Sequence, residues 1–223
     1  MSDHPSPGSG QMAWAGWLLA AGLLLAGIGG AFAPWVYRGP VALQLTAPGL
    51  AEFVKFLPEV RSTQVQVTRL YFLLPLFTAM LALPLVAANR ALRLPGWWRW
   101  LLRLAVVPLA LAALSPVWTP GVLTSAEFRL QTGLALVAVG LAALSPLLGR
   151  LPLKILAAGL LAAGLAAIVL PWQQFWLVQP GLTTAYHQTI APGWGWWLAA
   201  AGLLLAGLGG GWAAVIAPQQ TDD

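Results

Sequence analysis

With 59% hydrophobic and only 8% charged residues in 223, this chain has too little charge to cover a water-facing surface; a soluble domain carries about 25%. The net charge of +5 comes from 11 Lys and Arg spread over loops and helix ends, so no basic stripe supports nucleic-acid binding. The absence of cysteine excludes disulfides, thiolate nucleophiles and thiolate metal sites.

Residues 1–10 contain no Lys or Arg. They therefore lack the basic region of a secretory signal, and the first apolar stretch is expected to be a retained helix. Residues 1–10 and 218–223 read as flexible tails on a single transmembrane domain, 11–217. A crossing needs about 20 apolar residues. Stretches 12–36, 70–88, 97–118, 130–148, 153–170 and 194–217 qualify. The expected fold is an all-α integral membrane protein, a bundle of about six helices in three hairpins. Helix is the choice because lipid satisfies no exposed backbone groups. All 13 tryptophans fall at span ends, as interface anchors do. The third and fifth spans begin with basic residues, Arg99 and Arg103 in one and Lys154 in the other, placed where they reach headgroups.

The first and last spans share a pattern: residues 16–30 read GWLLAAGLLLAGIGG and residues 196–210 read WWLAAAGLLLAGLGG. Each carries small residues one turn apart, Gly22, Ala26 and Gly30 in one and Gly202, Ala206 and Gly210 in the other. Such rows let helices approach closely and associate in lipid. The fifth span has a similar row in Gly159, Ala163 and Ala167. The spans between show no comparable match, which favours convergence of Ala-, Gly- and Leu-rich helices over duplication. The string LAALSP at 111–116 and 141–146 reads as a helix-exit signal, because Pro disfavours helix at the residue before it. Pro-Trp near 34, 116 and 171 marks the ends of the odd-numbered spans in the same way.

The first outer segment, 37–69, is expected to form a small cap. Val41, Leu43 and Leu45 alternate with polar or small residues, as in a half-buried strand. Leu50, Phe53, Val54 and Leu57 then follow helical spacing, while Glu52, Lys55 and Glu59 face away. That is a short amphipathic helix. Gln64, Gln66 and Thr68 alternate with Val65 and Val67 and suggest a second strand, completing a two-stranded ribbon around the helix. Glu52, Lys55 and Glu59 offer a docking face for a partner, or else the cap simply covers the helix ends. The second and third outer loops, 119–131 and 173–193, bring Glu127, Arg129 and His187 into consideration as a polar site, against the plainer reading of solvated loop residues.

No chemistry is signalled beyond this. His4 and His187 are the only histidines, too few for a zinc or bis-histidine haem site, and no cofactor is expected. Nucleotide-binding glycine motifs and the nucleophile elbow are absent. Span centres carry no ionisable residue, which argues against ion-coupled transport. The leading expectation is a non-catalytic multi-pass protein, a subunit or accessory of a larger membrane assembly. Its partners would be the lipid bilayer and other membrane subunits. The alternative is a small transporter or lipid-handling protein without ion coupling, and an enzyme with outer-loop residues comes last. The short basic loops at 89–103 and 149–154 place both termini in the cytoplasm of a plasma membrane, of bacterial inner-membrane type, by the positive-inside rule.

Overall fold

The computed structural model describes residues 7–37, 44–149 and 151–217. The chain runs α1 (Pro7–Ala31), β1 (Pro34–Val36), β2 (Leu45–Thr46), α2 (Ala47–Phe53), α3 (Pro58–Arg61), α4 (Leu74–Ala88), α5 (Gly96–Ala113), α6 (Pro120–Leu123), α7 (Arg129–Leu144), α8 (Leu153–Tyr186) and α9 (Trp194–Ile216). Short 3-10 turns at Val54–Phe56, Arg69–Leu73, Arg90–Leu92 and Ser145–Leu147 join them. It is an all-α fold. Among the described residues 5 helical stretches are long and apolar enough to cross a membrane: Gly10–Ala31, Arg69–Ala88, Arg129–Leu147, Leu153–Tyr186 and Trp194–Ile216. The remaining expected crossing, 97–118, is α5, which ends at Ala113 after 18 residues. It spans about 27 Å at 1.5 Å per residue and carries Arg99 and Arg103, so it falls outside that group.

The antiparallel neighbours α1 and α4, α5 and α7, and α8 and α9 each pack as a hairpin. The hub is α4, which touches α1, α5, α7 and α8 and is buried around most of its circumference, from Leu76 and Phe77 to Val86 and Ala87. A helix apolar on every side belongs in that position. The first and last helices close the bundle against each other. The end carrying α2 and α3 is called the cap end below, and the end with the α4–α5 and α7–α8 turns the far end.

The α1–α9 contact explains the shared sequence pattern. A methyl group on Gly22 would lie 2.4 Å from the Ala206 nitrogen and 2.6 Å from the Gly202 oxygen. One on Gly202 would lie 2.4 Å from the Ala26 nitrogen and 2.6 Å from the Gly22 oxygen. The same exchange relates Gly29, facing Ala199, to Gly209, facing Leu19. Each contact maps onto its counterpart when 180 is added to or taken from the residue numbers. A self-complementary antiparallel pair asks the same small residues of both helices, so packing accounts for the Gly and Ala positions the two helices share. The contact rows differ from those read in the sequence at their third member. Gly29 and Gly209, seven residues on, stay against the facing backbone, whereas Gly30 turns towards Leu76 and Gly210 sits at the edge of the contact, where a methyl group would meet the Leu19 side chain at 3.4 Å and Ala157 at 3.8 Å. Seven residues bring a helix back to within about 20° of its starting face, and an eighth rotates it away. In α8, Gly159 and Ala163 are exposed and Gly159 meets nothing within 4 Å, while Ala167 is buried. The α8 face on the bundle runs instead through Leu156, Leu160, Gly164 and Ala167.

Two expectations are corrected. The fifth crossing does not end at Leu170, and the loop expected over 173–193 is reduced to 187–193: α8 continues through Pro171 and Pro180 to Tyr186, about 51 Å in all. An interior Pro removes a hydrogen bond and costs about 3 kcal/mol, but Phe175, Val178 and Leu182 are buried beyond it. Their packing offsets the loss, and the helix rises as a mast beside the cap. The second strand does not form either. β2 pairs antiparallel with β1, at Pro34–Thr46 and Val36–Leu45, while 64–68 lies extended on the mast. There the Thr68 amide donates to Gln174 Oε1 at 2.9 Å. An alternating pattern marks any extended segment with one side covered, and here α8 supplies the cover. Val41 and Leu43 lie outside the described residues, as do the tail 218–223, His4, Arg38 and Arg150. Helix α1 begins at Pro7, inside the stretch read as an N-terminal tail.

Tryptophan contacts fall into separate groups at the two ends, Trp17 with Trp97 and Trp98, and Trp172 with Trp176, Trp196 and Trp197. Trp35 is a core residue. It is 1% exposed, sits edge-on to Phe72, and donates its indole N–H to the Gly29 carbonyl at 2.9 Å.

Candidate functional site

Among the described residues the acidic groups, Glu52, Glu59 and Glu127, all lie at the cap end. Thr46 opens α2 by accepting the Gly49 amide on its hydroxyl, with Pro48 in the first turn, a capped start that needs no help from the rest of the fold. Leu50, Val54 and Leu57 turn inward and are buried, as their spacing requires. Phe53 is half-buried, its ring 5.8 Å from that of Tyr186 near the top of α8.

The polar side of this helix is engaged within the chain. Lys55 Nζ contacts Glu52 Oε2 at 2.7 Å and Glu127 Oε1 at 2.6 Å. Arg69 Nη1 contacts Glu52 Oε1 at 2.8 Å, and its other terminal nitrogen donates to the Glu127 backbone carbonyl. Two acids and two bases alternate in a closed set with no net charge. Both cations also lie over the Phe128 ring, Arg69 at 4.7 Å and Lys55 at 5.2 Å from its centroid. The hydrogen bond from Lys55 holds the Glu127 carboxyl below the ordinary carboxylate range; partial burial opposes the shift and the Lys55 and Arg69 charges reinforce it. Partial burial works against the Lys55 ammonium, but its hydrogen bonds to Glu127 and Glu52 prevail and raise its pKa. Both groups are thus held in their charged forms at neutral pH, which suits a clamp and does not suit proton transfer.

The structure therefore joins Glu52 and Lys55, read as a docking face, to Glu127, read as part of a polar site. It does not join Glu127 to the two residues grouped with it. Arg129 is exposed at the start of α7. His187 is exposed at the end of α8, in the left-handed conformation that terminates the helix. Glu59 stands apart from the clamp and lies against the mast. A methyl group on Gly181 would approach its Oε2 to 2.9 Å, and that oxygen is enclosed without a hydrogen-bond partner.

Sequence reasoning missed Arg69 and Phe128, which became partners only through the tertiary fold. It also passed over Gln131, whose lone amide at the start of an apolar helix was a usable signal. Gln131 is 3% exposed, and its Oε1 has no partner. It lines a cavity of ≈ 420 Å³ between α2, the end of α5 and α7, walled by Leu73, Leu111, Leu114 and Trp118, with Glu52 at one side. Among the described residues no group of three or more His, Asp or Glu converges in a way that would hold a metal ion. No protein-family model, no curated protein and no solved structure matches this chain.

Proposed function

We propose that the chain is a non-catalytic integral membrane protein, a bundle of six crossings that serves as a subunit or accessory of a larger membrane assembly and meets its partner at the cap. Membrane insertion is supported by the outward faces of α7, α8 and α9, where Leu136, Leu161, Leu204, Leu208 and Val215 are all exposed. Such a surface in water would be an aggregation site, and lipid covers it without penalty. The observation that carries the assembly reading is the clamp itself. It fixes the cap against α7 and α4, and so holds Phe56, 69% exposed, at a set position outside the apolar stretches. A rigid mount for an uncovered aromatic side chain is how an interface anchor is built. The docking face accordingly shifts from Glu52 and Lys55, which serve the clamp, to the surface around Phe56.

The test is purification in mild detergent with native mass spectrometry. A stoichiometric companion subunit is expected, lost on Phe56→Asp while the melting temperature stays within a few degrees. A chain that runs alone under every mild condition overturns the assembly reading.

A second reading, lipid handling, is favoured by the cavity at Gln131. Its walls suit an apolar body and its unpartnered amide oxygen suits a hydrogen-bond donor on the head of an amphiphile. Gln131→Leu should then reduce the lipid that remains bound after purification. Unchanged lipid content would remove this reading and leave the first intact.

A further inference from the structure

The far end of the bundle presents the electrostatic inverse of the clamp. Arg90 follows α4, and Arg99 and Arg103 stand one turn apart on α5. None of them makes an ion pair or side-chain hydrogen bond with another described residue. The described carboxylates, Glu52, Glu59 and Glu127, all lie at the cap end.

The periodicity of α5 shows where these charges sit. Seven-residue steps return to nearly the same face. Arg99 shares a face with Val106 and Ala113, and Arg103 with Ala110. Those apolar positions are 0%, 1% and 4% exposed for Val106, Ala113 and Ala110. The two arginine positions thus extend the stripe by which α5 packs on its neighbours α4 and α7. The outward stripe is Trp97, Trp100, Leu101 and Leu104, and Arg103 stands at its border. Both Nε atoms are enclosed and lack an acceptor. Arg103 is braced over the Trp100 ring at 5.5 Å. Arg90 is near enough to Arg99 to repel it, and its side chain runs beside Gly149 in the turn after α7. The ends of α4 and α7 and the start of α5 therefore gather positive charges with no countercharge from the described residues.

We propose that this arginine cluster binds a phosphate-bearing anion and that its occupant is the headgroup of an anionic phospholipid. The inference rests on the membrane reading above. Guanidinium forks match phosphate oxygens in geometry and charge. Trp17, Trp97 and Trp98 cluster at the same end, at the level where indoles meet headgroups. Basic recesses between helices hold lipid headgroups in this way.

The experiment uses the full chain in nanodiscs of phosphatidylcholine mixed with phosphatidylglycerol, and reads the ratio of lipids bound by native mass spectrometry. Phosphatidylglycerol should be enriched over its bulk share. Each guanidinium removed should lower the enrichment about fivefold, and Arg99→Gln with Arg103→Gln about 25-fold. Arg61→Gln at the cap end should leave it unchanged. A parallel arm adds inorganic phosphate to delipidated protein in detergent and follows the melting temperature. A phosphate-dependent rise without phosphatidylglycerol enrichment overturns the lipid occupant and assigns the arginine cluster to a soluble phosphate. Equal binding of both lipids with no phosphate response overturns the site. If the double variant does not fold, Arg90→Gln replaces it, with a fivefold loss expected. Release of the chain by alkaline carbonate without detergent would sink the membrane reading separately, before any lipid is measured.

Discussion

At the scale of single residues, the cap separates contributions of different size. Leu50 is fully buried between cap and bundle, and Leu50→Ala should cost about 2–5 kcal/mol. Phe53 is only half-buried, so Phe53→Ala should cost less than the ~3 kcal/mol of a fully enclosed ring. Thermal melts in detergent order the two, and a larger loss at Phe53 would show that the cap is seated differently. The clamp is a smaller term with a definite pH signature. The Glu127 pKa is depressed in the folded state, so its contribution is fully present above the unfolded value of about 4.3 and fades as pH falls through the lower folded value. The Lys55 pKa is raised, so its contribution is present below about 10.4 and fades as pH rises through the higher folded value. Between those limits the melting temperature should be flat, with a decline on the acid side that Glu127→Gln diminishes. With the Glu127 side chain 44% exposed, the amplitude is screened to about 0.5 kcal/mol. Arg69, at 14% the least exposed of the set, should matter more. Arg69→Met leaves two partly enclosed carboxylates sharing one cation and should cost about 1–3 kcal/mol.

At the scale of elements, the glycine rows give the sharpest contrast. Gly22→Leu or Gly202→Leu would drive a side chain into the facing backbone, which a methyl group alone already approaches to 2.4 Å. Overpacking of that kind costs about 1–3 kcal/mol or more. Gly159→Leu, on the open side of α8, should shift stability by no more than about 0.5 kcal/mol. Equal melting temperatures for all three variants would contradict the α1–α9 contact. How legible these elements were depends on whether the signal was local. Capping and spacing at Thr46, Leu50 and Val54 are local and mark the start of the cap helix, but α2 ends at Phe53, Val54–Phe56 is a 3-10 turn and Leu57 is extended before Pro58, so the helix is shorter than the spacing implied. Small residues announced close approach, but choosing between Gly29 and Gly30 needed the partner's position. Pro171 carried a stop signal that burial of Phe175 and Leu182 overrode, and no local pattern records that burial. The clamp was half visible: Glu52, Lys55 and Glu127 were singled out, but their union with Arg69 spans segments far apart in sequence.

At the scale of the whole molecule, the hairpin order fixes a topology that can be measured directly. The chain has no cysteine, so single introduced thiols report without background. Gln64→Cys in the cap and Ala91→Cys in the α4–α5 turn are both exposed positions, at opposite ends of the bundle. In intact cells an impermeant maleimide should label one and spare the other. The positive-inside rule assigns outside labelling to Gln64→Cys. Labelling of both from one side would mean that α4 does not cross. The bundle also places its two charge systems at opposite ends, the neutral clamp at the cap and, at the far end, arginines that pair with no described carboxylate.

The pairing of α1 with α9 has a consequence for how the protein is made. The glycine face of the first helix is filled by residues 180 positions later in the chain. At about 5–20 residues per second of translation, α1 waits about 10–40 s with that groove vacant. On the membrane reading two copies of α1 enter the bilayer in the same direction, so they cannot reproduce the antiparallel α1–α9 contact with each other. Until α9 of the same chain arrives, the groove is open only to small-residue helices of opposite direction. Slowing synthesis after α8 should lengthen that interval and increase cross-links from a probe at position 22 to such helices.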